Sequence, residues 1–438
     1  MTSSLLHKKI NYFNLVLFFS IFCSFNFIPF ISAEIQPIVG VFIILSGFIS
    51  FLFTKKISKP ALTISLFFIS LIPCLTYSII LNGITSSITY FMYMIGPAIF
   101  CYFYKNYKKL NLSQVKFFLY TFTIISIVQA LSPDTLNNII NPYFELLIKR
   151  ARFGFYGDMR GVGILYSEPA HAAKYIFVLM IMYISLKISP QIYSNNKSIN
   201  KNSLVIILCI LICIILNKSA SLYFMITFLL LLYFFLNTLH LNPRKLFTLT
   251  ILSLLTISIG IIATNLNIEF MYPKRISSLV DSFSLVRDNF SLNDIQYFGS
   301  IRIISVIAGY AGSIIEPFGT GIGNGGNVIF LIMNQIGFDT NSITFLTSQD
   351  VEFLKPNAYG AQIALESGLI GLIMIISLSI YCISKIRITT KAYCFYSSVL
   401  IISIFQILLF STTTVTAPWM TLAISLYALK WLKNEYNH

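Results

Sequence analysis

Apolar residues along this chain come in long uninterrupted runs, separated by short polar stretches. A helix needs about 20 apolar residues to cross a bilayer. Twelve runs meet that need or come close, near 11–32, 37–53, 60–81, 88–104, 116–133, 169–188, 203–217, 220–239, 246–265, 358–384, 392–413 and 415–432; 203–217 and 415–432 are short. The pattern predicts an all-α polytopic membrane protein: one transmembrane domain over residues 1–438, about 12 transmembrane helices, and two long polar loops at 134–168 and 266–357. His7, Lys8 and Lys9 precede a first run that ends in Ile31-Ser32-Ala33, loosely like a cleavage site. Signal peptides have an apolar core of roughly 7–15 residues, so this longer run is expected to be the first span. No internal repeat is evident.

The first long loop opens on Leu136, Ile139, Ile140, Tyr143, Phe144, Leu147 and Ile148, the spacing of one helix face. Lys149, Arg150 and Arg152 follow. The stretch reads either as a helix lying on the outer leaflet with its basic end among headgroups, or as a packed loop helix. Pro142 is expected to interrupt it.

Composition agrees with a membrane protein: 10% of residues are charged and mean hydropathy is +0.80, against about 25% charged in soluble domains. The net charge of +15 does not point to nucleic acid, because the excess lies in short loops beside apolar runs, where Lys marks the cytoplasmic face. Twelve spans put 17 of the 22 Lys inside and 14 of the 15 acidic residues outside, with both termini cytoplasmic. Six of the eight Arg fall on the outer, acid-rich side, in the two long loops. Lys placement reports topology. Arg gathered where positive charge is disfavoured calls for an anionic ligand. All seven Cys lie in apolar runs, so they read as packing residues and no disulfide framework follows.

The candidate chemistry sits in the outer loops and at their borders. Glu168 precedes Pro169 at the mouth of the sixth run; it reads as a base or orienting acid, or as a cap paired with Arg160. His171, one turn into the span, is a proton acceptor or a packing residue. Arg302 opens an apolar helical stretch to Ile315, followed by Gly319-Thr-Gly321-Ile-Gly323-Asn324. This contains a GxGxxG spacing, but without a βαβ unit or P-loop lysine around it a nucleotide fold does not follow. The glycines make either an amide cradle for pyrophosphate oxygens or a tight structural turn. Glu366 lies inside an apolar run, where a carboxylate is a functional candidate, unless it faces loop water and pairs with a loop Arg. The four His are scattered and no Asp-x-Asp occurs, so no metal or other cofactor is expected.

Four features together resemble the Wzy-type O-antigen polymerases, within the O-antigen ligase and polymerase superfamily: Arg160-x-x-Gly163 with Ser167-Glu168-Pro169; the hairpin Lys218-Ser-Ala-Ser221; Arg302 ahead of Pro317-Phe-Gly319-Thr-Gly321-Ile-Gly323-Asn324; and Asn357-x-Tyr359 with Glu366-x-Gly368-Leu-Ile-Gly371. The resemblance implies a glycosyltransferase of lipopolysaccharide biosynthesis in the bacterial inner membrane, with its site facing the periplasm. Its substrates would be undecaprenyl-pyrophosphate-linked oligosaccharides, with the growing chain passed to the sugar of an incoming repeat unit. A chain-length regulator is a further candidate partner. On this reading Arg160 and Arg302 bind pyrophosphate, with Arg150, Arg152, Arg275 and Lys218 as supporting cations. Gly321, Gly323, Asn324, Asn357 and Glu366 line the substrate site, and Glu168 leads the candidates for base. One departure matters: many ligases, and some polymerases, carry His before the Asn that matches Asn357, and here Pro356 stands there. The base then falls to Glu168, His171 or Glu366. The competing readings are an O-antigen ligase, a lipid-linked oligosaccharide flippase or transporter, and a membrane scaffold.

Overall fold

The computed structural model describes residues 12–26, 36, 38–54, 59–149, 151–155, 161–189, 203–239, 301–338 and 355–436. Among these residues the chain forms fifteen α-helices: α1 Tyr12–Ile21, α2 Ile38–Thr54, α3 Lys59–Ser70, α4 Ile72–Asn82, α5 Ile84–Asn106, α6 Leu112–Leu131, α7 Asp134–Leu147, α8 Pro169–Ile188, α9 Ser203–Asn217, α10 Ala220–Leu239, α11 Ile301–Ile315, α12 Gly325–Gln335, α13 Tyr359–Ile383, α14 Lys391–Phe405 and α15 Ala417–Tyr436. The only strand-like pairing among the described residues is one antiparallel bridge, Phe155 to Val162.

Ten of the twelve apolar runs fall almost wholly on described residues and the run near 11–32 falls there in part, at 12–26; each of the eleven holds a helix, and the run near 246–265 lies outside the described residues. Six of the helices are long and apolar enough to cross a membrane, or seven if α3 and α4, bent by 41° about Leu71, form one span. Helix α7 runs through Pro142 without stopping, giving up only the one backbone bond that proline cannot donate. Helix α12 lies inside the second long loop and is not foretold by the run pattern.

The chain, expected as one domain, divides by its contacts into two compact units: residues 1–56, 98–226 and 414–438, and residues 57–97 and 227–413. In the first unit α8 is the central helix. Apart from Lys174 its middle carries no charge, and Ala172 through Tyr183 are all buried, as expected of a helix enclosed by others. It packs on α6, α9 and α15. Helix α6 starts on a capping box, with Asn111 Oδ1 accepting from the Gln114 amide (3.0 Å) and Gln114 Oε1 from the Asn111 amide (2.8 Å). Its other face leaves Phe117, Ile124, Val128 and Leu131 uncovered, which suits lipid and not water.

A buried polar chain crosses this core. Tyr175 Oη meets Cys23 Sγ (2.7 Å) and Thr416 Oγ1 (2.9 Å), and Thr416 Oγ1 donates to the Ser20 carbonyl (2.9 Å). The Tyr166 ring stacks on Tyr175 at 4.8 Å, and its hydroxyl donates to the Ile21 carbonyl. These bonds join the end of α1 to α8 and to the start of α15.

In the second unit α11 runs alongside the first half of α13. Ser305, Gly309 and Gly312 approach Asn357, Ala361 and Leu365 in turn, so the two helices run parallel. Small residues permit that closeness: a Cβ on Gly309 would lie 2.9 Å from the Ala361 carbonyl oxygen. Ile329, Ile332 and Met333 of α12 close over Ile304, Ala308 and Leu365. Helix α14 ends in a π-turn at Gln406–Phe410, where the Leu408 carbonyl is met by Tyr310 Oη at 2.9 Å.

Removing one hydroxyl tests the polar chain. Tyr175→Phe leaves Cys23 and Thr416 buried without their shared partner, which should lower stability by about 1–3 kcal/mol. A fall in thermal midpoint of the detergent-solubilised protein checks it; an unchanged midpoint would show that the chain is incidental.

Candidate functional site

Several sequence candidates fall in one patch of the first unit. Segments 151–155 and 161–168, the N-terminus of α8 and the hairpin between α9 and α10 meet there. Val162 N donates to the Leu216 carbonyl (3.0 Å). Asn217 Nδ2, buried, donates to the carbonyls of Val162 (3.1 Å) and Pro169 (3.0 Å). The approach is so close that a Cβ on Gly161 would lie 2.1 Å from the Asn217 carbonyl oxygen. From α6, Gln129 grips Ile164 at both ends, accepting from its amide (2.9 Å) and donating to its carbonyl (2.8 Å).

That grip matters because Ile164 has φ 57°, a conformation strongly disfavoured for a β-branched residue. Lys218, at the hairpin, has φ 47°. Among the described residues these two are the only non-glycines with positive φ, and both border this patch. Backbone strain of this kind persists only where surrounding structure holds it, and it concentrates at functional sites.

Lys218 is exposed, and its ammonium lies 5.2 Å from the centroid of the Phe155 ring, a cation–π approach. Arg152 is exposed on the same loop. Glu168 takes the N-cap position of α8, half-buried; its carbonyl accepts from the amides of His171 and Ala172, but its side chain makes no capping bond. The carboxylate therefore does not serve as the helix cap, one of the two roles read from sequence. His171 is half-buried one turn in. Lys174, one turn further, is only 9% exposed. The sequence reading did not single it out, although a cation enclosed within an apolar span is the signal that should have done so. Gln129 and Asn217 were also missed. Arg150 and Arg160 lie outside the described residues, as does Arg275.

The second unit gathers the remaining candidates in two places. Arg302, exposed near the start of α11, offers its carbonyl to Ser305 Oγ (2.8 Å), which accepts from the Asn357 amide (3.3 Å). Two of the motifs are thus joined through one serine. Glu366 lies elsewhere: Gly312, ten residues after Arg302, is the one against Leu365, which puts about 15 Å of helix between them at 1.5 Å per residue.

At that far end α13 is broken. Gly368 has φ 63° and ψ −143° inside the helix. The glycine loop fills the break. Thr320 N and Gly321 N donate to the Leu365 and Glu366 carbonyls (3.1 and 3.0 Å), Leu369 N donates to the Pro317 carbonyl (3.0 Å), and Ile322 N donates to Ser78 Oγ. Glu366, 0% exposed, accepts from Gly323 N (2.7 Å), the Tyr93 hydroxyl and Gln362 Nε2 (3.4 Å). Among the described residues, these are the groups hydrogen-bonded to the Glu366 carboxylate. Asn324 donates its side-chain amide to the Thr320 carbonyl (3.0 Å). With the amides of Thr320 through Gly323 all engaged inside the chain, the geometry fits the tight structural turn and not the phosphate cradle.

Length, apolarity and burial together define a helical membrane protein. In comparisons with known proteins, no family model, no curated protein and no solved structure matched the chain.

The break makes a sharp prediction. A Cβ on Gly368 would lie 2.2 Å from the Pro317 carbonyl oxygen, at a φ that side chains rarely adopt, so Gly368→Ala should cost about 3 kcal/mol or more. Gly47→Ala, with nothing within 4 Å of the added atom, should be neutral. Yields of monodisperse protein from membranes compare them, and equal yields would refute the clasp.

Proposed function

We propose that this protein is a Wzy-type O-antigen polymerase of the bacterial inner membrane, with both termini cytoplasmic and the site facing the periplasm. The observation that carries the reading is the strained joint of the first unit. Three motif segments converge there at the start of α8, where the half-buried Glu168 side chain does not cap the helix, and Lys218 of the hairpin tied to that start is held in a left-handed conformation.

In the proposed reaction the carboxylate of Glu168 takes the proton of an acceptor hydroxyl on the incoming repeat unit. The acceptor oxygen bonds to the anomeric carbon of the growing chain, whose bond to pyrophosphate breaks. Undecaprenyl pyrophosphate leaves with its charge neutralised by cations, a task that fixed positive groups perform well where water is scarce. Lys218, Lys174 and Arg152 are the described candidates in this unit; Arg160 and Arg302 follow from the resemblance. His171 is the alternative base. Gly321, Gly323 and Glu366 support the fold of the second unit, not the substrate. The charge asymmetry of the loops supports the topology.

A transporter is the second reading, favoured by the broken helix α13 with its buried carboxylate, since transporters build sites at discontinuous helices. Here both ends of the break and the carboxylate itself are hydrogen-bonded within the chain, which favours a closed clasp over a binding site. Pro356 at the position of the ligase His weighs against a ligase.

Complementation of a strain lacking the gene tests the proposal by the banding of its lipopolysaccharide. Glu168→Gln, Arg160→Ala and Arg302→Ala should leave single repeat units in place of a ladder with protein level unchanged, the loss of a base alone being about 10²–10⁴ in rate. Lys218→Gly should relieve the backbone strain, leave the protein at least as stable, and still shorten or remove the ladder. Normal ladders from these variants refute the roles given. Loss of the single-unit band as well would point to the transporter.

A further inference from the structure

Helix α7 presents three different faces. At about 100° per residue, Leu136, Ile139, Tyr143, Leu146 and Leu147 fall within an arc of about 100°, and all five are exposed; Ile139 and Tyr143 are 66% and 70% exposed. Asp134, Asn138 and Glu145 make a second exposed arc, which is polar. The third arc faces the protein and holds two Asn. Asn137 bonds Ser132 through Oδ1 (2.6 Å), Asn141 Oδ1 accepts from the Phe153 amide (2.6 Å), and Phe144 packs on the Phe153 ring at 5.5 Å. The helix thus turns amides toward its own fold and leaves its aliphatic side uncovered.

We infer that α7 is an interfacial helix, with the Leu136–Ile139–Tyr143–Leu147 face in the outer edge of the bilayer and the Asp134–Asn138–Glu145 face in water. The occupant follows from continuity. Only Ser132 and Pro133 separate α7 from α6, a membrane-length helix whose last residue, Leu131, is 78% exposed. The first turn of α7 therefore begins where a lipid-facing surface ends. At its other end the Leu147 carbonyl accepts from the Asn26 amide (2.7 Å), which ties that end down to the segment after α1. A helix pinned at both ends beside a bilayer, with an aliphatic arc on one side and acids on the other, has one low-energy rotation about its axis. Lys149 and Arg152 follow directly, at the depth of lipid headgroups. The sequence reading placed Ile140, Phe144 and Ile148 on the same face as Ile139 and Tyr143. The structure assigns Phe144 and Ile148 to the protein side and adds Leu146 to the lipid side. The inference holds or fails independently of the polymerase reading.

Single Trp substitutions in the full chain test it, in vesicles of phosphatidylcholine brominated near the headgroup end of the acyl chains. Emission is corrected for Trp419 and Trp431 by subtracting the parent protein. Ile139→Trp should be quenched several-fold more by brominated lipid than Asn138→Trp, with aqueous iodide giving the reverse order. Tyr143→Trp, which keeps an aromatic ring suited to the interface, should behave as Ile139→Trp does and stands in for it if that variant does not fold. Equal lipid quenching at 138 and 139, or a position-139 signal open to iodide, overturns the inference. So does a signal at 139 shielded from both quenchers, which would mean that a second copy or another protein covers the face.

Discussion

Backbone groups in an apolar medium have nowhere to turn except to other groups of the same protein. That constraint organises what is unusual in this chain. Regular helices satisfy it automatically, so the irregular points carry the information, and each has its own repair. The break at Gly368 is closed by the amides of the glycine loop. The π-turn after α14 is met by Tyr310, and the end of that turn is met again where the Tyr359 amide donates to the Ser411 carbonyl at 2.6 Å. The left-handed turn at Ile164 is held by Gln129. Each repair comes from a segment distant in sequence, so the breaks also bind each unit together.

Seen this way, the two groups of motif residues differ in kind. In the second unit the motif is consumed by the repair itself. Gly319 and Gly368 lie so close that a Cβ on either would strike the other's backbone or its neighbour's, and Glu366 is enclosed with three hydrogen-bond partners. A carboxylate so surrounded serves the fold. In the first unit the repair is made by Gln129 and Asn217, which belong to no motif, and the motif residues Glu168 and Lys218 are left at the surface of the repaired turn. Strain held in place by other residues, with charged side chains at its edge, is what a preorganised site looks like.

Much of the architecture was legible in the sequence. Long apolar runs fix helices because nothing else satisfies their backbone in lipid, and each of the eleven that reach described residues holds a helix there. The 41° bend about Leu71 was not foreseen, although Pro73 stands in the first turn of α4. Helix α12 was hidden because its apolar residues, Val328 to Met333, are too few for a span and it begins on two glycines. It forms because Ile329 and Met333 pack against α11. The break in α13 was hidden for the opposite reason: a glycine within a long apolar run is common in membrane helices, and only the meeting with Gly319 makes Gly368 a hinge. Among candidate residues, Glu168 and Lys218 could be read from their neighbours. Gln129 and Asn217 could not, because they act on carbonyls 35 and 55 residues away, and no local spacing encodes such a pairing.

Cations in the first unit meet a related constraint. An ammonium or guanidinium within hydrocarbon must be paired or reach the interface. Lys218 and Arg152 are exposed at loops, whereas Lys174 is enclosed in the second turn of α8. In the proposed reaction a diphosphate carried by a lipid tail would arrive at headgroup depth, where the loop cations would meet it while still partly hydrated. An enclosed ammonium such as Lys174 acts more strongly per charge because less water screens it. On that proposal, a graded arrangement with hydrated cations outermost and one enclosed cation below would capture the anion first and hold it harder as it sheds water. That order needs no moving part, only the fixed depth of α8 and of the hairpin that Asn217 ties to its first turn.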